Sequence, residues 1–150
     1  MKILLTTLNS KYVHANLALK YLYTVVAGEY SDVEAREFTI NNDPHYVYGE
    51  ILRGGYDMVC FSCYIWNIEQ IRKLAADLKR ACPELLLTAG GPEASSRGPA
   101  FARENPWVDF VLRGEGEYPF YRLCQVLHEP QRALETVPGL IYRQGGKIYV

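Results

Sequence analysis

Two loops that combine glycine with acidic residues carry the clearest chemical signal in this chain. Gly90–Glu93 follows the apolar run Leu85–Ala89, and Gly114–Glu117 follows Phe110–Leu112. In an open parallel sheet, ligands bind just beyond the carboxyl ends of the strands. Glycine at such a place lets a ligand approach the backbone closely, and a carboxylate there accepts hydrogen bonds. The two loops therefore predict a ligand site at the strand ends, for a ligand that they do not by themselves identify.

The four cysteines do not indicate a metal centre or a redox pair. Cys60 and Cys63 form a C-x-x-C, but zinc needs a second such pair or suitably spaced histidines, which the sequence lacks. A thioredoxin-type pair begins a helix, whereas Cys60 falls inside the predicted strand Met58–Ser62. We interpret the cysteines as buried structural thiols, and only Cys63, just past the buried strand segment, as a residue that could face a ligand.

Composition and charge limit the classes of protein to consider. The chain has 150 residues, of which 49% are apolar, and a formal net charge of -1 without any lysine–arginine block. This argues against nucleic acid or a membrane surface as partner. The apolar runs are shorter than the roughly 20 residues of a membrane helix, and the N-terminus resembles a strand more than a signal peptide. We therefore predict a cytoplasmic protein.

Predicted strands and helices alternate along the chain, which indicates βαβ units and a parallel sheet. The prediction is a Rossmann-like or flavodoxin-like, doubly wound α/β fold with five parallel strands. Helices are expected from Asn16 to Tyr30, with the apolar side formed by Leu17, Tyr21, Leu22 and Val25, and after Asp43, Asn67 and about Tyr118. The strands are predicted at Lys2–Leu8, Val33–Ile40, Met58–Ser62, Leu85–Ala89 and Asp109–Leu112.

The last twenty residues break this alternation. Gly139–Arg143 and Lys147–Val150 flank Gln144–Gly146, which predicts a β-hairpin. We interpret residues 1–130 as an α/β ligand-binding domain and residues 131–150 as a hairpin linker towards a further domain that lies outside this chain.

Three common nucleotide-site or phospho-acceptor signatures are absent. A dinucleotide-binding domain carries G-x-G-x-x-G after its first strand, but Thr6–Tyr12 contains no glycine. No G-x-x-x-x-G-K-[ST] loop occurs either. A phospho-acceptor receiver would need acidic residues after the first strand and an aspartate after the third, where this chain has Thr, Asn and Phe61–Cys63.

Four segments, taken in order, resemble one family. Leu4–Leu19, Phe61–Asn67, Ala89–Glu93 and Asp109–Glu117 are similar to the N-terminal cobalamin (B12)-binding domain of radical S-adenosylmethionine proteins. The resemblance covers essentially the whole chain. It implies cobalamin as cofactor, with S-adenosylmethionine and a [4Fe-4S] cluster confined to a downstream radical domain, because no C-x-x-x-C-x-x-C occurs here.

The resemblance also implies which residues hold the cofactor. Small residues at the ends of the central strands would form a slot for the nucleotide tail, with the corrin ring above the strand ends. Gly114 and Gly116 would let the last loop close on the tail, and the acidic side chains would accept hydrogen bonds from corrin amides. The implied cofactor-binding residues are Leu8, Asn9, Ser10, Tyr12, Ser62, Cys63, Tyr64, Trp66, Asn67, Gly90, Gly91, Pro92, Glu93, Gly114, Glu115, Gly116 and Glu117.

The expected cobalt ligand is missing from its usual place. The family's best-known loop after the first strand is D-x-H-x-x-G, and this chain lacks it. His14, the nearby histidine, is a candidate cobalt ligand, although many radical relatives hold cobalamin without a protein histidine.

Several of these residues have structural alternatives. Gly90–Pro92 could simply form a tight turn, Asn67 could cap a helix, and Tyr64 and Trp66 could cover a core. The function predicted is a cobalamin-binding module of a radical enzyme, with a methyltransferase-type or related radical reaction in the missing domain. A stand-alone flavodoxin-like domain for another nucleotide-type cofactor, and an interaction scaffold, are the alternatives.

Overall fold

One mixed sheet organises the chain in the computed structural model, which describes residues 1–11, 15–30, 32–131 and 133–150. Within these residues the spatial order of the strands is β2-β1-β3-β4-β5-β6-β7. The strands are β1 (Ile3–Asn9), β2 (Val33–Thr39), β3 (Met58–Ser62), β4 (Leu86–Gly90), β5 (Phe110–Leu112), β6 (Leu140–Gln144) and β7 (Lys147–Tyr149).

Helices cover both faces of this sheet, as the alternating pattern predicts. One face carries α1 and α6, and the other carries α2, α3 and α5, each over its own apolar cluster. Capping residues mark two helix starts. The Asn16 side chain accepts a hydrogen bond from the Leu19 amide, and the Asp43 side chain accepts one from the His45 amide, with Pro44 as the first residue of that helix. The helices are α1 (Leu17–Ala27), α2 (Pro44–Gly54), α3 (Ile68–Ala81), α4 (Pro92–Arg97), α5 (Pro99–Glu104) and α6 (Glu117–His128), with a 3-10 turn at Leu134–Thr136.

The predicted doubly wound fold is confirmed, and the total number of strands is larger than predicted. Strands β1 to β5 are parallel, and β6 then pairs antiparallel with β5. The hairpin turns at Gly145 and Gly146, whose φ angles of 56° and 77° suit a two-residue turn. The hairpin therefore adds two strands to the sheet, because the edge of β5 is free to pair.

Of the residues predicted for the apolar side of α1, only Leu22 packs partly against the core, and the other three are exposed. Leu19 and Val26 are buried, whereas Leu17 is 61% exposed and Tyr21 56% exposed; Val25 is exposed as well. Apolar residues surround this helix on nearly all sides, so their spacing does not determine which side meets the sheet. The α1 helix thus leaves apolar side chains on the surface.

The interpretation of the cysteines as buried thiols is confirmed for three of them and is wrong for Cys82. Cys60, Cys63 and Cys124 are buried and Cys82 is exposed. Burial raises the pKa of the Cys124 thiol to about 12 and raises the pKa of Cys60 and of Cys63 above the ordinary range. None of the helices described is long and apolar enough to cross a membrane.

Candidate functional site

A cleft opens at the carboxyl ends of β3, β4 and β5, on the face of the sheet that α1 and α6 cover. Its volume is about 190 Å³. Both glycine-acid loops reach it, so the structure brings together the two features that the sequence singles out. Its walls include the predicted residues Ser62, Tyr64, Gly90, Gly91, Pro92, Gly114, Glu115, Gly116 and Glu117.

Small side chains on two adjacent strands form the floor of the cleft. Ser62 pairs in register with Gly90, and Cys60 pairs with Thr88. Because successive side chains of a strand point to opposite faces, all four residues lie on the same face of the sheet. Their small volumes leave a slot between α1 and α6 where larger side chains would otherwise fill the space.

Gly90 and Gly91 have different roles in this slot. Gly91 has φ +84°, and a Cβ built on it would lie 2.8 Å from the Cys63 carbonyl oxygen, so its turn requires glycine. At Gly90 the backbone is ordinary strand, and the nearest atom to such a Cβ is Leu112 Cβ at 3.9 Å. Neither the backbone nor the packing requires glycine at position 90, so the missing side chain there serves to widen the cleft.

Backbone hydrogen bonds join the loops after β3 and β4. The Cys63 amide donates to the Gly90 carbonyl at 2.8 Å, and the Glu93 amide donates to the Cys63 carbonyl at 3.1 Å. The Cys63 side chain is completely buried in the apolar cluster on the other face of the sheet. Cys63 therefore supports the cleft through its backbone, and its thiol does not face the cleft.

Asn67 does not cap α3 with its side chain, and that interpretation is wrong. The side chain is completely buried, and its amide nitrogen lies 3.2 Å from Thr7 Oγ1, 3.1 Å from the Leu8 carbonyl and 3.2 Å from the Ser62 carbonyl. Its Oδ1 accepts the Tyr64 amide at 2.8 Å. Asn67 thus ties the end of β1 to the end of β3 and positions a cleft wall from beneath.

One residue of the cleft wall, Tyr64, belongs to an aromatic pair. The rings of Tyr64 and Trp66 stack at 4.4 Å with an interplanar angle of 9°. The Tyr64 hydroxyl accepts a hydrogen bond from Asn16 Nδ2 at 3.1 Å, which links this loop to the start of α1. Trp66 is 48% exposed, so it does not cover a core.

Several predicted residues lie outside the cleft walls. Asn9 donates a hydrogen bond to Glu37 at the β1–β2 edge, Ser10 is exposed, and Glu93 pairs with Arg97. Contact of these residues with a ligand remains a prediction. The predicted residues that do not line the cleft are Leu8, Asn9, Ser10, Cys63, Trp66, Asn67 and Glu93.

A larger cavity lies on the opposite face, between α2 and α3. Its volume is about 660 Å³, and Leu8 is the predicted site residue among those lining it. Its walls are helix flanks such as Tyr48 and Leu74, without the glycine loops at the strand ends. We place the functional site in the smaller cleft because both glycine-acid loops reach it at the carboxyl ends of β3, β4 and β5, where the backbone is open to a ligand.

Tyr12 and His14 lie outside the described residues. Among the residues that are described, no group of three or more histidine, cysteine or acidic side chains could hold a metal ion.

Sequence reasoning missed part of the cleft wall. Thr88 and Cys60 could have been found by counting back two positions from Gly90 and Ser62, since strand side chains alternate. The α1 and α6 contributions carried no such signal, because they depend on how these helices cross the sheet. The additional lining residues are Ala18, Leu19, Leu22, Cys60, Phe61, Thr88, Leu112 and Phe120.

The doubly wound sheet with a slot at its strand ends defines an α/β domain of the cofactor-binding type. The B12 binding domain family matches residues 3–124, and the chain belongs to that family.

Two curated relatives are similar to it over part of its length. The cobalamin-dependent radical SAM methyltransferase TokK of Streptomyces tokunonensis is 34% identical over 94 residues, which are 63% of this chain and 14% of that protein. The 2-(S-pantetheinyl)-carbapenam-3-carboxylate methyltransferase of Streptantibioticus cattleyicolor is 35% identical over 89 residues, 59% of this chain and 13% of that protein. The matched part of this chain thus spans about one seventh of these relatives.

A solved structure has the same fold. The radical S-adenosylmethionine methyltransferase TsrM from Kitasatospora setae superposes with a TM-score of 0.81 at 19% sequence identity, over 97% of this chain and 29% of that one. The domain is therefore similar to the B12-binding domains of cobalamin-dependent radical SAM methyltransferases.

Proposed function

We propose that this chain binds cobalamin in the cleft after β3, β4 and β5, and that it is the cobalamin module of a radical SAM methyltransferase. The observation that carries the proposal is the slot of small residues formed by Cys60, Ser62, Thr88 and Gly90. In a member of the B12-binding family, a slot that packing alone does not require is best explained by the ligand that enters it.

The cleft is large enough for only one part of the cofactor. Its volume of about 190 Å³ is below the ~300–1,000 Å³ typical of pockets that enclose a whole ligand. Cobalamin is larger than the ligands that such pockets enclose, so only one end of it enters the cleft. In this proposal the nucleotide tail lies in the slot, and the corrin ring stays outside above the strand ends.

The rim suits the corrin ring chemically. Trp66 stacks on Tyr64, which lines the cleft, and Tyr118 follows Glu117, which also lines it; both aromatic side chains are exposed, at 48% and 61%. Glu115 and Glu117 offer carboxylates from the loop after β5. A corrin macrocycle has an apolar face and a fringe of amide groups, so the aromatic residues would pack against the ring and the carboxylates would accept hydrogen bonds from the amides.

His14 stays the candidate cobalt ligand on the sequence alone. Our proposal treats binding without a protein ligand to cobalt as the default. Substituting His14→Ala should then leave the absorption spectrum of the bound corrinoid unchanged.

The reaction itself is assigned to a further domain. In this proposal S-adenosylmethionine and a [4Fe-4S] cluster bind to a downstream radical domain, which is the module's partner, and residues 131–150 lead towards it. The printed names of the two curated relatives support methyl transfer as the reaction type.

Titration with hydroxocobalamin tests the binding proposal. We expect the corrin absorption band to elute with the protein in gel filtration, and a dissociation constant below tens of micromolar. Flavin mononucleotide serves as the comparison ligand and should not co-elute. Absence of corrinoid binding at tens of micromolar, or tighter binding of the flavin, would contradict the proposal.

A further inference from the structure

The loop after β5 is held by contacts from outside the cleft. We call residues 113–117 the cleft loop; it contributes Gly114, Glu115, Gly116 and Glu117 to the wall. Gly114 has φ +73°, and a Cβ built on it would meet nothing within 4 Å. The cleft loop is therefore not packed into place at Gly114, where hydrogen bonds from two neighbouring segments hold it.

The first contact comes from α4. Ser95 Oγ accepts a hydrogen bond from the Gly114 amide at 2.7 Å, across nineteen positions of sequence. Ser95 is partly buried, whereas the next residue, Ser96, is exposed. Because α4 begins directly after Gly91, this bond connects the loop after β4 to the loop after β5.

The second contact comes from the residue before the hairpin. The Arg113 amide donates to the Gly139 carbonyl at 3.0 Å, next to the antiparallel pair Leu112–Leu140. Gly139 has φ +69°, and a Cβ built on it would lie 3.2 Å from the Arg113 carbonyl oxygen. A side chain at position 139 would thus strain its own backbone and press on the start of the cleft loop.

The hairpin that follows Gly139 is firmly attached to the domain. Leu140, Ile141 and Tyr142 are buried. Arg143 donates hydrogen bonds to the Ala102 carbonyl at 2.5 Å and to the Val108 carbonyl at 3.4 Å. A strand bound in this way gives Gly139 a fixed position, which a flexible spacer would not.

We propose that Ser95 and Gly139 are positioning residues for the cofactor, because they set the cleft loop against the slot, and that the first strand segment of the hairpin, residues 139–143, is part of the binding unit. The proposal rests on the proposed cobalamin function for its ligand. It assigns to residues 139–143, and not to the turn at Gly145 and Gly146, a role in binding that differs from that of a linker.

Two pairs of variants separate positioning from general stability. Ser95→Ala removes the acceptor for the Gly114 amide, and Ser96→Ala is its matched control on the same helix. Gly139→Ala is matched by Gly145→Ala, which also has positive φ, at 56°, but meets nothing within 4 Å. We expect Ser95→Ala to weaken hydroxocobalamin binding about fivefold, as the loss of one hydrogen bond does, and Gly139→Ala to weaken it at least as much. Both controls should bind like the unchanged chain.

A second measurement needs no cofactor. Hydrogen–deuterium exchange of the peptide that contains residues 113–117 should be faster in Ser95→Ala and Gly139→Ala than in either control. If Gly139→Ala does not fold, Ser95→Ala against Ser96→Ala decides.

The outcomes separate the two proposals. Unchanged exchange in the cleft loop of the folded Ser95→Ala variant, or unchanged affinity while the unsubstituted chain binds hydroxocobalamin, would overturn the positioning role. Failure of the unsubstituted chain to bind any corrinoid, with the exchange difference present, would overturn the cobalamin function and leave the loop contacts confirmed.

Discussion

Ser62 and Gly90 are register partners at the ends of β3 and β4, and together they form the narrow base of the cleft. The protein leaves room for a Cβ atom at Gly90, since the nearest atom to that position is 3.9 Å away. A larger side chain at position 90 should therefore block the cleft while the fold tolerates it.

Gly90→Val should abolish or strongly weaken hydroxocobalamin binding while the domain stays folded. Valine suits a strand, and its branched side chain would occupy the slot beside Ser62. We expect affinity to fall at least about a hundredfold, because a steric block acts on the whole tail. Gly28→Val, at an exposed glycine with nothing within 4 Å, is the matched control and should bind normally. Equal affinity of the two variants would show that the slot holds no ligand; affinity is measured by absorbance titration.

Asn67→Leu should destabilise the domain by about 3 kcal/mol. The substitution removes a buried amide that donates to the Leu8 carbonyl and accepts from the Tyr64 amide; the Ser62 carbonyl keeps its hydrogen bond from the Thr7 hydroxyl. Urea unfolding followed by circular dichroism measures the effect. Asn41→Leu, at an exposed position, should change the free energy of unfolding by less than about 0.5 kcal/mol. If the two variants are equally stable, the hydrogen bonds of Asn67 do not hold the strand ends.

Gly91→Ala should cost more stability than Gly55→Ala, although both glycines have positive φ. Alanine at position 55 meets nothing within 4 Å and would show only the backbone penalty, about 1 kcal/mol. At position 91 the added Cβ would also lie 2.8 Å from the Cys63 carbonyl, so the loops after β3 and β4 must separate. We expect a cost about twice as large or more. A smaller loss at 91 than at 55, measured by urea unfolding, would argue against the close packing of these loops.

Alkaline pH should destabilise the fold through its buried thiols. The pKa of Cys124 rises to about 12 in the folded chain, and the pKa of Cys60 and Cys63 is also raised. An unfolded cysteine loses its proton near pH 8.5, so above that pH the unfolded state binds fewer protons and gains stability relative to the folded state. Stability is therefore fully present below about pH 8 and falls as the pH rises towards 12.

Thiol labelling at pH 8 checks the same burial. Only Cys82 is exposed, so a disulfide reagent should label one thiol in the folded chain and four in denaturant. Rapid labelling of three or four thiols in the folded state would contradict the buried positions of Cys60, Cys63 and Cys124.

The sequence predicts the fold well because its signals are local. Strand β3 was predicted at its observed bounds, Met58–Ser62, since its first four residues form an unbroken apolar run. Asp43–Pro44 correctly marks the start of α2. Which side of α1 is buried was not predictable, because Leu17 and Leu19 have the same hydropathy and only the sheet beneath decides between them.

The sequence predicts the parts of the site that are formed by glycines after strands, but not the hydrogen bonds between residues far apart in sequence. Gly90 and Gly114 are visible as glycines after strands, and both line the cleft. The contacts of Asn67 and Ser95 join residues 59 and 19 positions apart, and no local pattern marks such pairs. Hydrogen-bond partners of that kind follow from the packed fold only.

Comparison of two corrinoids tests the central claim most directly. Cobinamide has the corrin ring of cobalamin without the nucleotide tail that we place in the slot beside Ser62 and Gly90. We predict that the unsubstituted chain binds hydroxocobalamin at least about tenfold more tightly than dicyanocobinamide, and that Gly90→Val removes this difference. Equal affinity for the two corrinoids, unchanged by Gly90→Val, would contradict a tail-binding slot at the ends of β3 and β4.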